Sequence, residues 1–256
     1  MKSKNILICA ALAVVFQFNA SAQNSTPVAA PEVHRNAAII PVSRTGAITN
    51  RQTLVLERAK AAPGDYDVEF IGDSITQGWE GKGAKVWQEL ATKYKMINMG
   101  VSGDRTEHVL WRFENGQLDG IKAKVAIVMI GTNNSNKNKD GTDAYTDAEI
   151  LAGVTAIVDQ IHARQPETKI LLLGIFPRGQ AFNAQRGRLL EVNQVLSKLD
   201  DGQHIFFLDF GSQYVGRDGS ISKDIMPDAL HPNEAGYKIW ASAMQPKLNE
   251  LLGRKK

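Results

Sequence analysis

Cysteine is almost absent from this chain of 256 residues, which contains a single one, Cys9. Cys9 lies in an N-terminal segment that we expect to be removed, so the mature protein is predicted to contain no disulfide. Its stability is therefore expected to come from packing. Clusters of His, Asp and Glu with metal-ligand spacing are also missing, so we expect no metal and no other cofactor.

An excess of charge of one sign is missing as well. The formal net charge is +3, and loss of Lys2 and Lys4 with the N-terminal segment lowers it to +1. Lysine and arginine form no stripe, so we expect no nucleic-acid partner. A hydrophobic fraction of 43% and a charged fraction of 22% are typical of a soluble globular protein and exclude a wholly disordered chain.

No apolar run is long enough to span a membrane comfortably, which takes about 20 residues. The longest candidate, from Ile6 to Phe18, follows Lys2 and Lys4 and precedes the small-x-small site Ala20-Ser21-Ala22. This is the pattern of a secretory signal peptide. We therefore predict a signal peptide at 1–22, a secreted or periplasmic protein, and no stable membrane insertion after cleavage. An uncleaved anchor is the alternative.

Two regions follow the predicted signal peptide. Residues 23–50 are rich in Ala, Pro, Ser, Thr and Asn without periodicity, which predicts an irregular arm or linker. Within this arm, Ile39-Ile40-Pro41-Val42 is expected to pack on the domain surface. Residues 51–256 are predicted to form one domain, because helix-like and strand-like segments alternate there without an internal repeat.

Five predicted strands alternate with amphipathic helices. The strands are predicted over 67–71, 95–99, 125–130, 170–175 and 205–208. The helices are predicted over 52–60, 84–94, 106–113, 147–164 and 189–199, with a last one capped by Asn233 and running to about 252. Strands joined by helices imply right-handed crossovers. The predicted fold class is therefore α/β, a three-layer α/β/α sandwich around a central, mostly parallel sheet.

A serine follows the first predicted strand, in Gly72-Asp73-Ser74-Ile75. Open α/β sheets bind ligands at the carboxyl ends of their strands. Far along the chain, Asp228-Ala229-Leu230-His231 supplies a histidine and a carboxylate three residues before it. Serine, base and orienting acid are the components of an acyl-transfer site. The Gly-x-Ser-x-Gly elbow of α/β-hydrolases is absent around Ser74.

Two further blocks stand at strand ends, Gly100-Val101-Ser102-Gly103-Asp104 and Gly131-Thr132-Asn133-Asn134. A glycine at 103 lets a backbone amide approach a substrate without an intervening Cβ. Asn133 offers an uncharged NH₂ donor. Such donors can stabilise charge on a carbonyl oxygen. Each block alone is more often a turn or a cap, but the four blocks in this order favour catalysis.

With these blocks, the chain resembles the SGNH/GDSL hydrolase superfamily. It is similar in particular to the branch of platelet-activating-factor acetylhydrolase catalytic subunits. The run from Gly103 to Gly116 and the tripeptide Pro177-Arg178-Gly179 carry this closer similarity, which extends over roughly 67–252. The resemblance implies the flavodoxin-like SGNH hydrolase fold and hydrolysis of a short acyl ester.

The resemblance also implies roles for individual residues. Ser74 would be the nucleophile, His231 the general base and later general acid, and Asp228 the residue that holds the imidazole tautomer. The oxyanion donors would be the backbone amides of Ser74 and Gly103 and the side-chain amide of Asn133.

Three residues adjacent to these candidates, Ile75, Thr132 and Leu230, are predicted to contact the substrate. Their bulk would shorten an acyl pocket, so we expect a small acyl group such as acetyl, as the resemblance also implies. An exported enzyme would meet acetylated sugars or polysaccharide esters, so the predicted partner is a small-molecule or carbohydrate ester. A homodimer is left open by the sequence.

The leading hypothesis is thus a secreted serine esterase of the acetylhydrolase type. One alternative is a thioesterase or lysophospholipase of the same superfamily. Another is a non-catalytic carbohydrate- or lipid-binding module, although all five expected positions are filled.

The remaining candidate residues are predicted to be structural. Asp73 is expected to cap or brace the turn at Ser74, and Asp104 to cap the helix that begins at Thr106. The other residues of this kind are His34, His108, Trp111, His162 and His204.

Overall fold

Five parallel strands form the central sheet. The structure is a computed structural model that describes residues 36–254. The strands are β1 (Gly64–Gly72), β2 (Met96–Asn98), β3 (Ile121–Met129), β4 (Lys169–Leu173) and β5 (Ile205–Leu208). They are ordered β2-β1-β3-β4-β5, and every neighbouring pair is parallel. The predicted α/β fold class is confirmed. The predicted signal peptide, Cys9 and His34 lie outside the described residues.

Helices connect the strands and cover both faces of the sheet. They are α1 (Thr49–Ala61), α2 (Ser74–Gln77), α3 (Ala84–Ala91), α4 (Thr106–Glu114), α5 (Asp147–Arg164), α6 (Ala184–Leu196) and α7 (Glu234–Leu251). Helix α6 begins five residues earlier than predicted. Its N-cap is Asn183, whose side chain accepts a hydrogen bond from the Arg186 amide. Apolar periodicity begins only at Leu189, which is why the sequence pattern missed this first turn.

Alternate side chains of the central strands enter two different hydrophobic clusters. Phe70 packs in the cluster beneath α3 and α7, whereas Ile71 packs in the cluster beneath α4, α5 and α6. Strands that are buried on both faces need apolar residues at almost every position. This explains the uninterrupted apolar run that predicted β3.

The order of the strands places a crevice at the carboxyl end of β1. From β1 the chain crosses to β2 on one side and then to β3 on the other, so the strand order reverses beside β1. Ligands of open α/β sheets bind at such a reversal. Because Gly72 pairs with Met129, β1 and β3 end level with each other. The segments that follow β1, β2 and β3 carry Ser74, Gly103 and Asn133.

The described part of the predicted arm, residues 36–48, packs against the sheet domain. It contains two short 3-10 helices, Ala37–Ile39 and Gly46–Ile48. Ala38 is fully buried beside α4 and α5, and its carbonyl accepts a hydrogen bond from the Thr106 hydroxyl. Three residues of the tetrapeptide expected to pack, Ile39, Ile40 and Val42, remain 44%, 43% and 47% exposed. In this segment it is Ala38, rather than these three residues, that is buried in the hydrophobic core.

Across residues 36–254, no helix combines the length and the apolar character that crossing a bilayer requires.

Candidate active site

The turn between β1 and α2 presents Ser74. Asp73 caps α2, because its Oδ1 accepts a hydrogen bond from the Ile75 amide at 2.9 Å. This bracing role of Asp73 was predicted from the sequence. Burial raises the pKa of the Asp73 carboxyl to about 6, against the lowering effects of the Ile75 amide, His231 and Arg178. A Cβ on Gly72 would collide with the Met129 carbonyl, so only glycine permits this close passage between β1 and β3.

Ser74, His231 and Asp228 meet at the carboxyl edge of the sheet. Ser74 Oγ lies 3.0 Å from His231 Nε2 although 157 residues separate them. His231 Nδ1 lies 2.7 Å from Asp228 Oδ2. In the tautomer with a proton on Nδ1, that nitrogen donates to Asp228 and Nε2 is free to accept from the serine hydroxyl. The three residues that sequence reasoning grouped are therefore connected in the predicted order.

The Asp228–His231 loop is a tight turn. Asp228 Oδ1 accepts hydrogen bonds from the backbone amides of Leu230 at 3.1 Å and His231 at 2.7 Å. Ala229 has φ 54°, which is uncommon for a residue other than glycine. It is held there by burial and by a hydrogen bond from the Gly179 amide to its carbonyl. The pKa of Asp228 lies below its usual value. Partial burial alone would raise this pKa, but the hydrogen bonds from His231 outweigh that effect.

The predicted oxyanion loop, residues 100–104, is bonded to the serine turn and to the segment after β3. The Ser102 amide donates to Gln77 Oε1 at 2.7 Å, and the Val101 amide donates to the Gly72 carbonyl at 3.1 Å. Asn133 Nδ2 donates to the Asp104 carbonyl at 2.8 Å, which uses one of its two hydrogens. Within residues 36–254 no acceptor takes the Gly103 N–H. The three predicted oxyanion donors thus lie on segments that are bonded to one another.

Two of the three predicted substrate contacts are buried. Ile75 is 1% exposed and packs in the same cluster as Trp79, because α2 turns its side chain into the core. Thr132 is 2% exposed, and its carbonyl and hydroxyl accept hydrogen bonds from Arg178 Nη1 at 2.9 and 3.2 Å. Leu230 is half-buried. Neither Ile75 nor Thr132 lines a cleft that borders Asp228, and contact of the three residues with a substrate stays a prediction.

Two clefts flank the Asp228–His231 loop. The first has a volume of about 420 Å³ and is lined by Ser74, Gly78, Gly81, Lys82, Pro227, Asp228, His231, Pro232 and Tyr237. The second, of about 580 Å³, shares Asp228 and is lined by Arg178, Phe182, Leu230 and neighbouring residues. A larger cavity of about 730 Å³ contacts none of Ser74, Asp228 and His231. The candidate catalytic group therefore opens onto the first cleft, and only Asp228 of the three also lines the second.

Sequence reasoning missed two residues that hold the site. Arg44 Nη1 donates to the Gly103 carbonyl at 3.0 Å, yet Arg44 lies in the arm, where no motif marks it. Tyr237 Oη donates to the Ile75 carbonyl at 2.7 Å. The only signal for Tyr237 is its position on the apolar face of α7. In both cases the partner is distant in sequence.

Asp104 does not cap α4. Instead, Asn134 Oδ1 accepts from the Thr106 amide at 3.1 Å, and the fully buried Asp104 forms an ion pair with the equally buried Arg112. The predicted cap was wrong because a neighbouring loop supplies a better-placed acceptor.

The histidines outside the site make structural contacts. Nδ1 of the buried His108 accepts from the Arg105 amide at 2.9 Å. Burial and the nearby Arg44 and Arg105 lower the pKa of His108 to about 3. The rings of His162 and His204 lie next to each other, with their centroids 4.9 Å apart. In the part of the chain that the structure describes, His, Cys, Asp and Glu form no group of three or more that could hold a metal ion.

Known proteins resemble this chain in sequence and in fold. A human protein, platelet-activating factor acetylhydrolase IB subunit alpha2, is 38% identical over 187 residues, which cover 73% of this chain and 77% of that protein. A GDSL-like lipase from Bacteroides thetaiotaomicron superposes with a TM-score of 0.64 at 19% identity, covering 79% of this chain and 98% of the other. An acetylxylan esterase from Geobacillus stearothermophilus gives a TM-score of 0.56 at 21% identity, with coverages of 73% and 94%.

A family match spans the site. The profile of the GDSL-like lipase/acylhydrolase family covers residues 70–239, more than half of the chain and every residue from Ser74 to His231. The two structural superpositions are below 25% identity and show the shared fold. Taken with the 38% identity to the acetylhydrolase subunit, the match shows that the chain belongs to the GDSL-like lipase/acylhydrolase family, a class of ester-hydrolysing enzymes.

Proposed function

We propose that this protein is a serine esterase that hydrolyses short-chain esters, acetyl esters above all, through an acyl-enzyme. The observation that carries the proposal is the alignment of Ser74 Oγ, His231 and Asp228, with separations of 3.0 and 2.7 Å. A serine hydroxyl is a weak nucleophile until an adjacent base takes its proton. The alignment supplies that base and the acid that orients it.

The proposed reaction has two acyl transfers. Ser74 Oγ attacks the ester carbonyl and passes its proton to His231 Nε2, while Asp228 stabilises the imidazolium. The carbonyl oxygen becomes an anion that the amides of Ser74 and Gly103 and the Asn133 side chain would stabilise. When the tetrahedral intermediate collapses, the C–O bond to the alcohol breaks and His231 returns the proton to the leaving oxygen. Water then attacks the acyl-serine with His231 as base, which releases the carboxylic acid and restores Ser74.

The proposed preference for a short acyl group is supported by the burial of Ile75 and Thr132. Their side chains are 1% and 2% exposed, so the space behind Ser74 is filled by core atoms rather than by an open channel. Long acyl chains need an apolar cleft that buries most of their surface.

The second cleft supports a carbohydrate as the alcohol part of the substrate. Phe182 lies at the edge of this cleft, and its side chain is 80% exposed. The ring packs against Gly219, where a Cβ would collide with the ring. An exposed but supported ring offers an apolar surface to the C–H face of a sugar. Arg178 and Gln185 line the same cleft, and the side chain of each has polar atoms without a partner among residues 36–254. These atoms can bind hydroxyl groups.

The location of the protein is a separate part of the proposal. Lys2, Lys4, the apolar run 6–18 and Ala20-Ser21-Ala22 support export with cleavage after Ala22. If the secreted or periplasmic protein begins at Gln23 by intact mass, this part holds. A mature protein that retains residue 1 would overturn it.

The esterase proposal is tested with a series of p-nitrophenyl esters from acetyl to octanoyl. We expect wild type to prefer acetyl and Ser74→Ala to lose turnover while keeping its melting temperature, with Ser197→Ala at the end of α6 as the serine control. Full activity of Ser74→Ala would exclude the mechanism. A preference for octanoyl would favour a lysophospholipase or thioesterase, and an inactive folded wild type would favour a binding module.

The carbohydrate proposal is tested with acetylated xylo-oligosaccharides. Phe182→Ala should raise KM for these esters and leave hydrolysis of p-nitrophenyl acetate unchanged. The control is Leu190→Ala, because Leu190 is also apolar and its side chain is 52% exposed. Equal kinetics of the Phe182 variant and wild type on the sugar esters would contradict this assignment.

A further inference from the structure

Gly103 lies in a turn of its own loop, which the Asp104 amide closes by donating a hydrogen bond to the Val101 carbonyl at 3.1 Å. Its φ of 73° lies in the left-handed region, where glycine is favoured because it has no Cβ. Glycine also leaves the backbone more rotational freedom than any other residue. Because preorganised donors are the effective ones, a contact from outside the loop that holds this turn would strengthen the Gly103 amide as an oxyanion donor.

Arg44 makes such a contact with Gly103. Arg44 Nη1 donates to the Gly103 carbonyl at 3.0 Å, and this is the only hydrogen bond to that carbonyl in residues 36–254. A Cβ on Gly103 would lie 2.9 Å from Arg44 Nη2, so the guanidinium lies directly against the glycine. Arg44 Nε also lies 3.8 Å from Asp104 Oδ1. One side chain thus contacts two successive residues of the loop before α4, Gly103 and Asp104.

Arg44 is itself held in place. Its backbone amide donates to Oε1 of Gln52 at 2.9 Å, and Gln52 is 3% exposed on α1. Two residues earlier, the Val42 amide donates to the Glu107 carbonyl at 3.1 Å. The Arg44 side chain is 17% exposed, so water screens its contacts only partly. The arm is therefore fastened at Arg44 itself and two residues before it.

We propose that Arg44 is a positioning residue that holds Gly103 in the conformation required for its amide to stabilise the oxyanion. The inference rests on the proposed esterase function. Arg44 lies outside residues 70–239, which match the family, so this chain uses a segment beyond the family domain to complete its site. The arm is then a working part of the enzyme rather than a tether. Arg44 touches neither Ser74 nor His231, and it acts through Gly103.

The test compares Arg44→Ala, Arg44→Lys and Val42→Ala on p-nitrophenyl acetate. Arg44→Ala should lower kcat about tenfold, less than loss of a direct oxyanion donor, with KM nearly unchanged. Arg44→Lys should lie between this variant and wild type, because one ammonium cannot reproduce the planar fork. Val42→Ala, a change in the same arm that leaves Arg44 intact, should match wild type.

A second readout separates positioning from general destabilisation. Phenylboronic acid forms a tetrahedral adduct with catalytic serines, so its inhibition constant should rise in Arg44→Ala by the same factor as kcat falls. Added guanidinium ion at millimolar concentration should restore part of the lost kcat. A folded Arg44→Ala with wild-type kcat, an effect on KM alone, or an equal loss in Val42→Ala would each overturn the proposal.

The proposal can also be judged if the protein hydrolyses no ester. In ¹⁵N-labelled protein the Gly103 amide resonance should move in Arg44→Ala and stay in place in Val42→Ala. The same position in all three proteins would overturn the role of Arg44. Inactivity of wild type would instead count against the esterase function alone.

Discussion

Tyr237 Oη donates a hydrogen bond to the Ile75 carbonyl at 2.7 Å, which ties α7 to the short helix that begins with Ser74. Tyr237 is 1% exposed and lines the first cleft from below. Burial raises the pKa of its phenol well above the usual range, so the hydroxyl remains a donor. The same helix α7 follows the loop that carries His231. One contact therefore links the nucleophile side of the site to the base side.

Tyr237→Phe removes this contact without changing the ring. We expect unfolding free energy to fall by about 1 kcal/mol, the usual worth of such a bond, and kcat to fall several-fold as Ser74 loses its support. Thermal melting and steady-state kinetics measure the two effects. The control is Tyr94→Phe, which removes a 2.7 Å bond to Asn249 on α7, away from the site. If both variants lower kcat equally, stability rather than alignment explains the loss.

Asn133→Ala should lower kcat by about 10²-fold with a smaller change in KM, as expected for loss of an oxyanion donor. Its amide hydrogen that is not bonded to Asp104 is the one expected to meet the substrate. Asn138→Ala, on the exposed part of the same loop, controls for local disturbance. A wild-type kcat would remove Asn133 from the site, and a change in KM alone would make it a ground-state contact.

Leu230→Ala should shift preference from acetyl towards butyryl esters. Leu230 is the one predicted substrate contact that is partly exposed and lines a cleft. It borders the second cleft together with Asp228, so the acyl group would share that cleft with the alcohol part and shortening Leu230 enlarges the space for it. The measurement is the ratio of kcat/KM for p-nitrophenyl butyrate and acetate. A difference of one or two methylene groups in an apolar pocket is worth about 1–3 kcal/mol, so a change of ten-fold or more is expected. An unchanged ratio would place the acyl limit at other residues.

Glu69→Gln should stabilise the protein at high pH. Burial raises the pKa of the Glu69 carboxyl from 4.5 to about 8, although Gln117 and Arg112 lower it in part. A carboxyl that binds its proton more tightly when folded contributes stability at low pH, and that stability is lost as pH rises towards the folded pKa. Wild type should therefore lose up to about 1.4 kcal/mol per pH unit relative to the variant between pH 5 and 8.

Urea unfolding of wild type and Glu69→Gln at pH 5, 6, 7 and 8 measures this difference. Glu57→Gln, at an exposed position of α1, controls for loss of a carboxylate in general. A constant difference between wild type and Glu69→Gln over the four pH values would show that Glu69 is ionised in the folded protein.

Local sequence patterns were enough to predict the sheet and the residues of the candidate catalytic group. Strands β1 to β5 are short apolar runs bounded by helices, and that pattern is local, so it can be recognised without the fold. Each candidate residue lies close to the end or the start of a predicted element. These residues are Ser74, Gly103, Asn133 and His231. Since parallel strands end at one edge, their order along the chain was enough to predict that they meet.

The surroundings of that group depend on how the chain packs. The burial of Ile75, the contact of Arg44 with Gly103 and the bond from Tyr237 to Ile75 each join segments whose separation and orientation no local pattern specifies. The capping of α4 by Asn134 rather than Asp104 has the same cause, because both residues were suitable acceptors in the sequence. Local chemistry selects which residues can act. Packing decides which of several suitable partners lies within bonding distance, since it depends on the shape of the whole core.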